Sequence, residues 1–173
     1  MQRRLGDRRN QALALTNLGI VYGRLDRPLE AEDSFERAAA IGRTLGDERG
    51  EGFAWLNLGC LLSGRSERER ARRALARAVE LGRRVGVPRL LGAALTRLAT
   101  VEPDPARARA AAEEAVALVP SLDPTNAALA HCARALLDPD RRAADLAVVD
   151  ALLPSVPEPA RGEVEDARRR AAG

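Results

Sequence analysis

Two rows of side chains recur with a spacing that suits recognition. Asn17, Asn57 and Arg97 recur at one constant interval, and Arg9, Arg49 and Arg89 recur at the same interval. Each of those three arginines precedes its Asn or Arg counterpart by eight residues. On a helix, eight residues turn through about 800°, so both rows project to similar sides. Phe53 lies between, four residues from Arg49 and four from Asn57. An Asn carboxamide carries a donor and an acceptor, so it can pair with a peptide unit whatever the side chains beside it. A guanidinium can grip a carboxylate with two hydrogen bonds. Basic, apolar and amide steps in that order suit an acidic extended or helical peptide. The competing reading has the first-turn arginines solvating helix ends or pairing with Asp7 and Asp47.

The sequence offers no catalytic constellation. His131 is the only histidine, and Cys132 sits beside it. Neighbours diverge by about 100° around a helix, which makes them a poor metal pair, and no further ligand is spaced nearby. There is no phosphate-cradling GxxxxGK[ST] loop, no GxGxxG and no GxSxG elbow. Glu113-Glu114 and Glu165-Asp166 read as solvated faces. Arg168-Arg169-Arg170 lies among Glu163, Glu165 and Asp166 and reads as a solvated terminus. The reading is a non-enzymatic chain without metal or cofactor.

Composition points to helices. The apolar share is 46% with only 2% aromatic, so it is mostly Ala, Leu and Val. All 28 basic residues are Arg, interleaved with 25 acidic residues, and the net charge is +3. A nucleic-acid binder concentrates its basic residues in a stripe, so direct nucleic-acid binding is not expected. No run approaches the ~20 apolar residues of a membrane span. The start, MQRRLGDRRN, lacks the apolar core of a signal peptide. Cys60 and Cys132 each lie in an apolar helical pattern, which favours buried thiols and a reducing, cytoplasmic setting.

One phrase organises the chain. LGDERGEGFAWLNLGCLL at residues 45–62 repeats LGDRRNQALALTNLGIVY at residues 5–22, and a worn copy follows at 85–102 after the same interval. Leu15, Trp55 and Leu95 correspond, as do Leu18, Leu58 and Leu98, then Gly19, Gly59 and Ala99, then Tyr22, Leu62 and Glu102. This i, i+3, i+4, i+7 spacing is one face of a helix. Gly at the third position admits a close neighbouring helix. A second helix follows in each copy. Its apolar triads are Ala31-Phe35-Ala38, Ala71-Leu75-Ala78 and Ala108-Ala112-Ala115, the last arriving three positions early. Ser66 with Glu69 reads as a capping box. Asp26-Arg27-Pro28, Asp104-Pro105 and Asp123-Pro124 read as helix starts, and Gly46 and Gly86 as helix stops. The units fall at about 5–45, 46–85 and 86–119, with a divergent helix pair at 123–153 completing a domain over 1–153. Residues 154–159, rich in proline, read as an extended linker. Residues 160–173 read as a charged helix or tail.

The pattern Leu15-x2-Leu18-Gly19-x2-Tyr22 with Ala31-x3-Phe35-x2-Ala38, and Trp55-x2-Leu58-Gly59-x2-Leu62 with Ala71-x3-Leu75-x2-Ala78, resembles the tetratricopeptide repeat. The forty-residue period with Leu-Gly-Asp and Asn-Leu-Gly is similar to a longer branch that includes kinesin light chains, G-protein-signalling modulators and bacterial peptide-sensing regulators. The resemblance implies an all-α fold of antiparallel helix pairs stacked into a right-handed superhelical solenoid, with each first helix lining the concave side. It also implies that the Asn before Leu-Gly, here Asn17 and Asn57, holds the backbone of a bound peptide. The carboxylate-clamp members use Asn and Arg at these positions too. They also need Lys where Thr16 and Ala93 stand and a second Asn in place of Ile20, so a chaperone-tail clamp is not expected.

The function so read is a protein–protein interaction module holding a partner's peptide or helix in the groove, with Asn17, Asn57, Arg97, Phe53, Arg9, Arg49 and Arg89 as contact residues. Two rivals stand beside it. By family analogy, the chain is a sensory or autoinhibitory segment of a larger bacterial transcriptional regulator or NTPase, its partner another domain of the parent protein. Or it is a self-associating scaffold. Trp55→Ala is expected to empty the middle of the stack, at roughly 3–5 kcal/mol.

Overall fold

The computed structural model describes residues 2–173, and the side chains of residues 7–120 and 122–173. Leu5 and Gly6 of the first copy, and the arginines before them, lie outside the described side chains. The described residues form nine α-helices and no strand: α1 Gln2–Arg24, α2 Pro28–Leu45, α3 Glu48–Gly64, α4 Arg68–Val85, α5 Pro88–Val101, α6 Pro105–Ala117, α7 Pro124–Leu137, α8 Arg142–Leu152 and α9 Glu158–Ala172. They fall into two compact units, Met1–Leu90 and Leu91–Gly173.

The first unit is built from helix hairpins, α1 on α2 and α3 on α4, with α2 packed on α3. Each corner has the same construction. Asp26, Gly46, Ser66 and Gly86 hold positive φ of 54°, 65°, 61° and 62°. The next amide reaches back five residues: Arg27 N to Tyr22 O (2.9 Å), Asp47 N to Gly42 O (2.9 Å), Glu67 N to Leu62 O (3.0 Å), Val87 N to Gly82 O (3.3 Å). This left-handed cap satisfies carbonyls that the helix end would orphan. The corners are evenly spaced at half the repeat period, so both turns of each repeat use it. Two expected caps change as a result. Ser66 is the left-handed corner of α3 and not a capping-box residue, and Glu67 precedes α4 without a side-chain cap. Asp26 is likewise a corner, and Arg27 precedes α2.

The second-helix triads are buried as the spacing predicts: Ala31, Phe35 and Ala38, then Ala71, Leu75 and Ala78. The glycines explain their fit. A Cβ on Gly19 would lie 2.5 Å from the Phe35 ring, and one on Gly59 2.5 Å from Leu75 Cγ. Only Gly admits these large side chains at that depth. Trp55 departs from expectation. It is half-buried, and its indole N–H donates to Glu51 Oε1 at 3.2 Å. Leu58 and Leu62 fill the interior instead, so the Trp55→Ala cost falls to about 2 kcal/mol.

The second unit is arranged around α7, which packs on α6, α8 and α9. Ala127 through Ala133 are all buried, so α7 is covered on every side. Ala128, Leu129, Cys132, Val149, Val156 and Val164 make the core. Asp104 and Asp123 cap α6 and α7 as the Asp-Pro pairs predict. Residues 154–159 are not an extended linker. Leu153–Ser155 is a 3-10 turn, Val156 is 1% exposed, and Pro159 sits in the first turn of α9. Proline fixes the φ that a first helical turn needs, so these prolines start structure here. The charged C-terminal segment is a packed helix, anchored by buried Val164 and Ala171 and by Arg168 Nη2 donating to Asp150 Oδ2 at 2.9 Å.

Candidate peptide-binding face

α1 and α3 are the first helices of the two repeats and pack against each other. Their buried sides carry Leu15 and Gly19 on α1, and Ala54, Leu58, Gly59 and Leu62 on α3. On the opposite side of α3 run Arg49, Phe53 and Asn57, four residues apart, followed by Cys60. The matching side of α1 carries Arg9, Leu13 and Asn17. Leu13 was not singled out by sequence, yet it holds the Phe53 position of the first repeat and is 62% exposed. The signal was present in the register: Leu13 precedes Phe53 by one full repeat. The result is two parallel rows of basic, apolar and amide steps.

Residues 10–84 match the tetratricopeptide repeat family model. That stretch is a tetratricopeptide-repeat region. It lies within the first unit and ends beside the end of α4. No curated protein matches the chain. The all-α, helix-pair architecture expected of the repeat is the one observed, and repeats of this family serve as protein–protein interaction modules.

Within the repeat region the row residues differ in how they are held. Asn57 Nδ2 donates to the Phe53 carbonyl at 2.8 Å, which holds the carboxamide while its oxygen keeps its capacity to accept. Asn17 is exposed. Arg9 pairs with Asp47 at 3.3 Å, as the competing reading had it, while remaining 68% exposed. Asp47 also caps α3, accepting from Gly50 N at 3.0 Å. Arg49 and Arg89 are exposed. Arg97 belongs to the second unit, where Glu163 of α9 holds it.

Beneath the repeat region's outer side is a residue that sequence reading missed. Glu51 is 2% exposed, and one of its oxygens gathers Trp55 Nε1, Arg77 Nη2 at 3.2 Å and Arg43 Nε at 3.4 Å. It fastens α2, α3 and α4 together, and its helical phase among apolar residues was the only hint. Asp145 of the second unit is a parallel case. It is 1% exposed, with His131 Nδ1 at 2.7 Å and Arg134 Nε donating at 2.9 Å. Burial works against its ionisation, but the Arg134 and His131 hydrogen bonds outweigh burial and hold its carboxyl below the usual range. Cys132 is 3% exposed, and burial pushes its thiol up to about 11. His131 and Cys132 are therefore core residues pointed at different neighbours. Among the described residues, no three His, Cys, Asp or Glu side chains are grouped to hold a metal. No described helix is long and apolar enough to cross a membrane.

Proposed function

We propose that the face shared by α1 and α3 binds an acidic extended or helical peptide from a partner protein in the cytoplasm. The carrying observation is the duplicated order Arg9-Leu13-Asn17 beside Arg49-Phe53-Asn57, each step one helical turn on. Asn57 and Asn17 pair with the peptide backbone, Leu13 and Phe53 receive apolar side chains, and Arg9 and Arg49 meet carboxylates. A charge-assisted hydrogen bond and a desolvated amide pair are each worth about 1–3 kcal/mol in such a complex.

A specific observation favours a second reading, in which the ligand is intramolecular. Arg97 occupies the third position of the Asn row, and an acidic side chain of this same chain, Glu163, already holds it. The same chemistry would let an acidic helix of the parent protein act as an autoinhibitory segment.

The test is affinity capture with the wild-type chain, followed by titration of the captured partner against Asn17→Ala/Asn57→Ala and Arg9→Ala/Arg49→Ala. Circular dichroism confirms that each variant is helical. Each pair of substitutions is expected to weaken binding tenfold or more. Unchanged affinity in both variants would move the site off this face.

A further inference from the structure

The repeat supplies its own control for a second surface. On α3, Ala54 is fully buried against Leu15, Ala38 and Ala39 of the preceding helix pair, and Leu58 is 3% exposed. The residues of α1 in the same register are Ala14, which is exposed, and Leu18, which is 45% exposed. Val21 at 48%, then Leu25 and Leu29 across the corner, extend the same exposed apolar side. Ala14, Leu18 and Val21 follow i, i+4, i+7, and lie roughly 110° around α1 from the Arg9-Leu13-Asn17 row. Asn17, three residues from Ala14 and four from Val21, borders this stripe, whereas Arg9, Leu13 and the whole α3 row lie away from it.

The second repeat shows what such a stripe accepts. The helix covering it is α2, whose Ala38 and Ala39 pack with Leu15 on Ala54. The polar flank of α2 is acidic: Glu32 pairs with Arg65 at 3.0 Å and with Arg70, and Glu36 lines a notch opposite Arg73. In the first repeat the signs are inverted. The positions matching Arg70 and Arg73 are Glu30 and Asp33, and Leu25 replaces Arg65. Glu30 and Asp33 line the corresponding notch beside Leu18 and Leu29. Their present partners are Arg27, just before α2, and Arg37 on α2, in exposed local pairs that exchange at little cost.

We propose that this stripe docks an amphipathic helix of a partner protein. That helix has small apolar residues facing Ala14, Leu18 and Val21, and Lys or Arg at the two positions where α2 carries Glu32 and Glu36. Charge complementarity selects this occupant over a second copy of the chain, whose own α2 would bring Glu32 and Glu36 against Glu30 and Asp33.

The probe is a labelled peptide with the sequence of residues 28–45 carrying Glu32→Lys and Glu36→Lys, titrated by fluorescence anisotropy against the full chain. The unmodified 28–45 peptide is the comparison. The charge-swapped peptide is expected to bind at least tenfold tighter. On a chain with Glu30→Lys/Asp33→Lys the preference should reverse. Leu18→Asn/Val21→Asn, at exposed positions that leave the fold intact, should abolish binding of both. Equal affinity for the two peptides overturns the proposal, as does binding by neither. Loss of binding in Arg49→Ala/Phe53→Ala, both on α3, would place the peptide on the other face and overturn it too. Concentration-dependent dimerisation that is lost with Leu18→Asn would assign the stripe to a second copy instead.

Discussion

The first unit turns its chain the same way four times; the second, among its described residues, never does. Asp26, Gly46, Ser66 and Gly86 all reverse direction through one left-handed residue. In the second unit the work passes to Asp caps and to proline-bearing 3-10 turns at Val119–Ser121 and Leu153–Ser155. The cores differ to match. The first unit repeats a contact, glycine against a large side chain, and buries Glu51 among donors from three helices. The second buries α7 on all sides and ties it to α8 through the buried carboxylate of Asp145, whose two donors both come from α7, and through Arg142 Nε donating to the Ala135 carbonyl at 3.3 Å. Regular corners let a unit be held by many equal contacts. Without them, stability gathers at one polar cluster and one central helix.

The sharpest way to break the comparison is Asp145→Ala. It strands Arg134 and His131 and should cost about 3 kcal/mol, since an ion left unpaired in the interior is penalised. Trp55, the only tryptophan, reports the first unit, and alkylation of buried Cys132 reports the second. Cys132 is expected to react at lower denaturant in the variant while the Trp55 transition stays in place. Acid should act the same way on the wild type. A carboxyl held below its usual range stabilises the fold above its ordinary pKa of about 4, and that contribution is lost as pH falls through the depressed value. Cys132 should therefore open before Trp55 on acidification. Joint movement of both probes would mean the two units unfold as one.

Gly59→Ala comes next. Its methyl would press on Leu75, at about 1–3 kcal/mol by thermal or chemical denaturation. Adding Leu75→Ala removes the obstruction, so the double variant should cost less than the two single changes summed. The third copy already made this exchange, with Ala99 at the glycine position and Ala112 at the Phe35/Leu75 position.

The smallest effect tests the corners. Ser66→Gly should stabilise by about 0.5–1 kcal/mol, because a Cβ in the left-handed region is strained and glycine is not. Gly86→Ala should lose a similar amount. An unchanged midpoint for Ser66→Gly would show that the corner conformation is imposed by packing alone.

The helix pairs, their buried triads and the role of Gly19 and Gly59 were legible because a repeat prints the same packing twice. Asp104 and Asp123 were legible because capping is local. Ser66 was misread by the same local logic. Its spacing to Glu69 fits a cap, but its place half a repeat after Gly46 marks it as a corner. Trp55 was assigned to the interior by its register with Leu15 and Leu95, yet it lies half-buried at the edge of the cluster of Leu15, Ala38, Ala39 and Ala54. The proline-rich segment was read from composition, and what folds it is burial of Val156, a contact with residues distant in sequence. Asp145 and His131 stand 14 residues apart on different helices, a separation no local pattern links. The Asn and Arg rows came from periodicity. Leu13 was passed over because a leucine in a helix draws no notice until its exposure is known.

A corner at every half-period reverses the chain without regard to which helix has just ended. Such a gene can lengthen by copying, but the two possible lengths have different results. A copied stretch of one whole period restores every row, adding another Arg, apolar and Asn step beside the last. A copied half-period would keep the turns while exchanging first helices for second ones, and binding rows would alternate with Ala-rich packing faces. Selection for a continuous recognition surface therefore favours growth in whole pairs. The third copy, whose triad Ala108-Ala112-Ala115 falls three positions short of the period, marks where that arithmetic lapsed and a different kind of core took over.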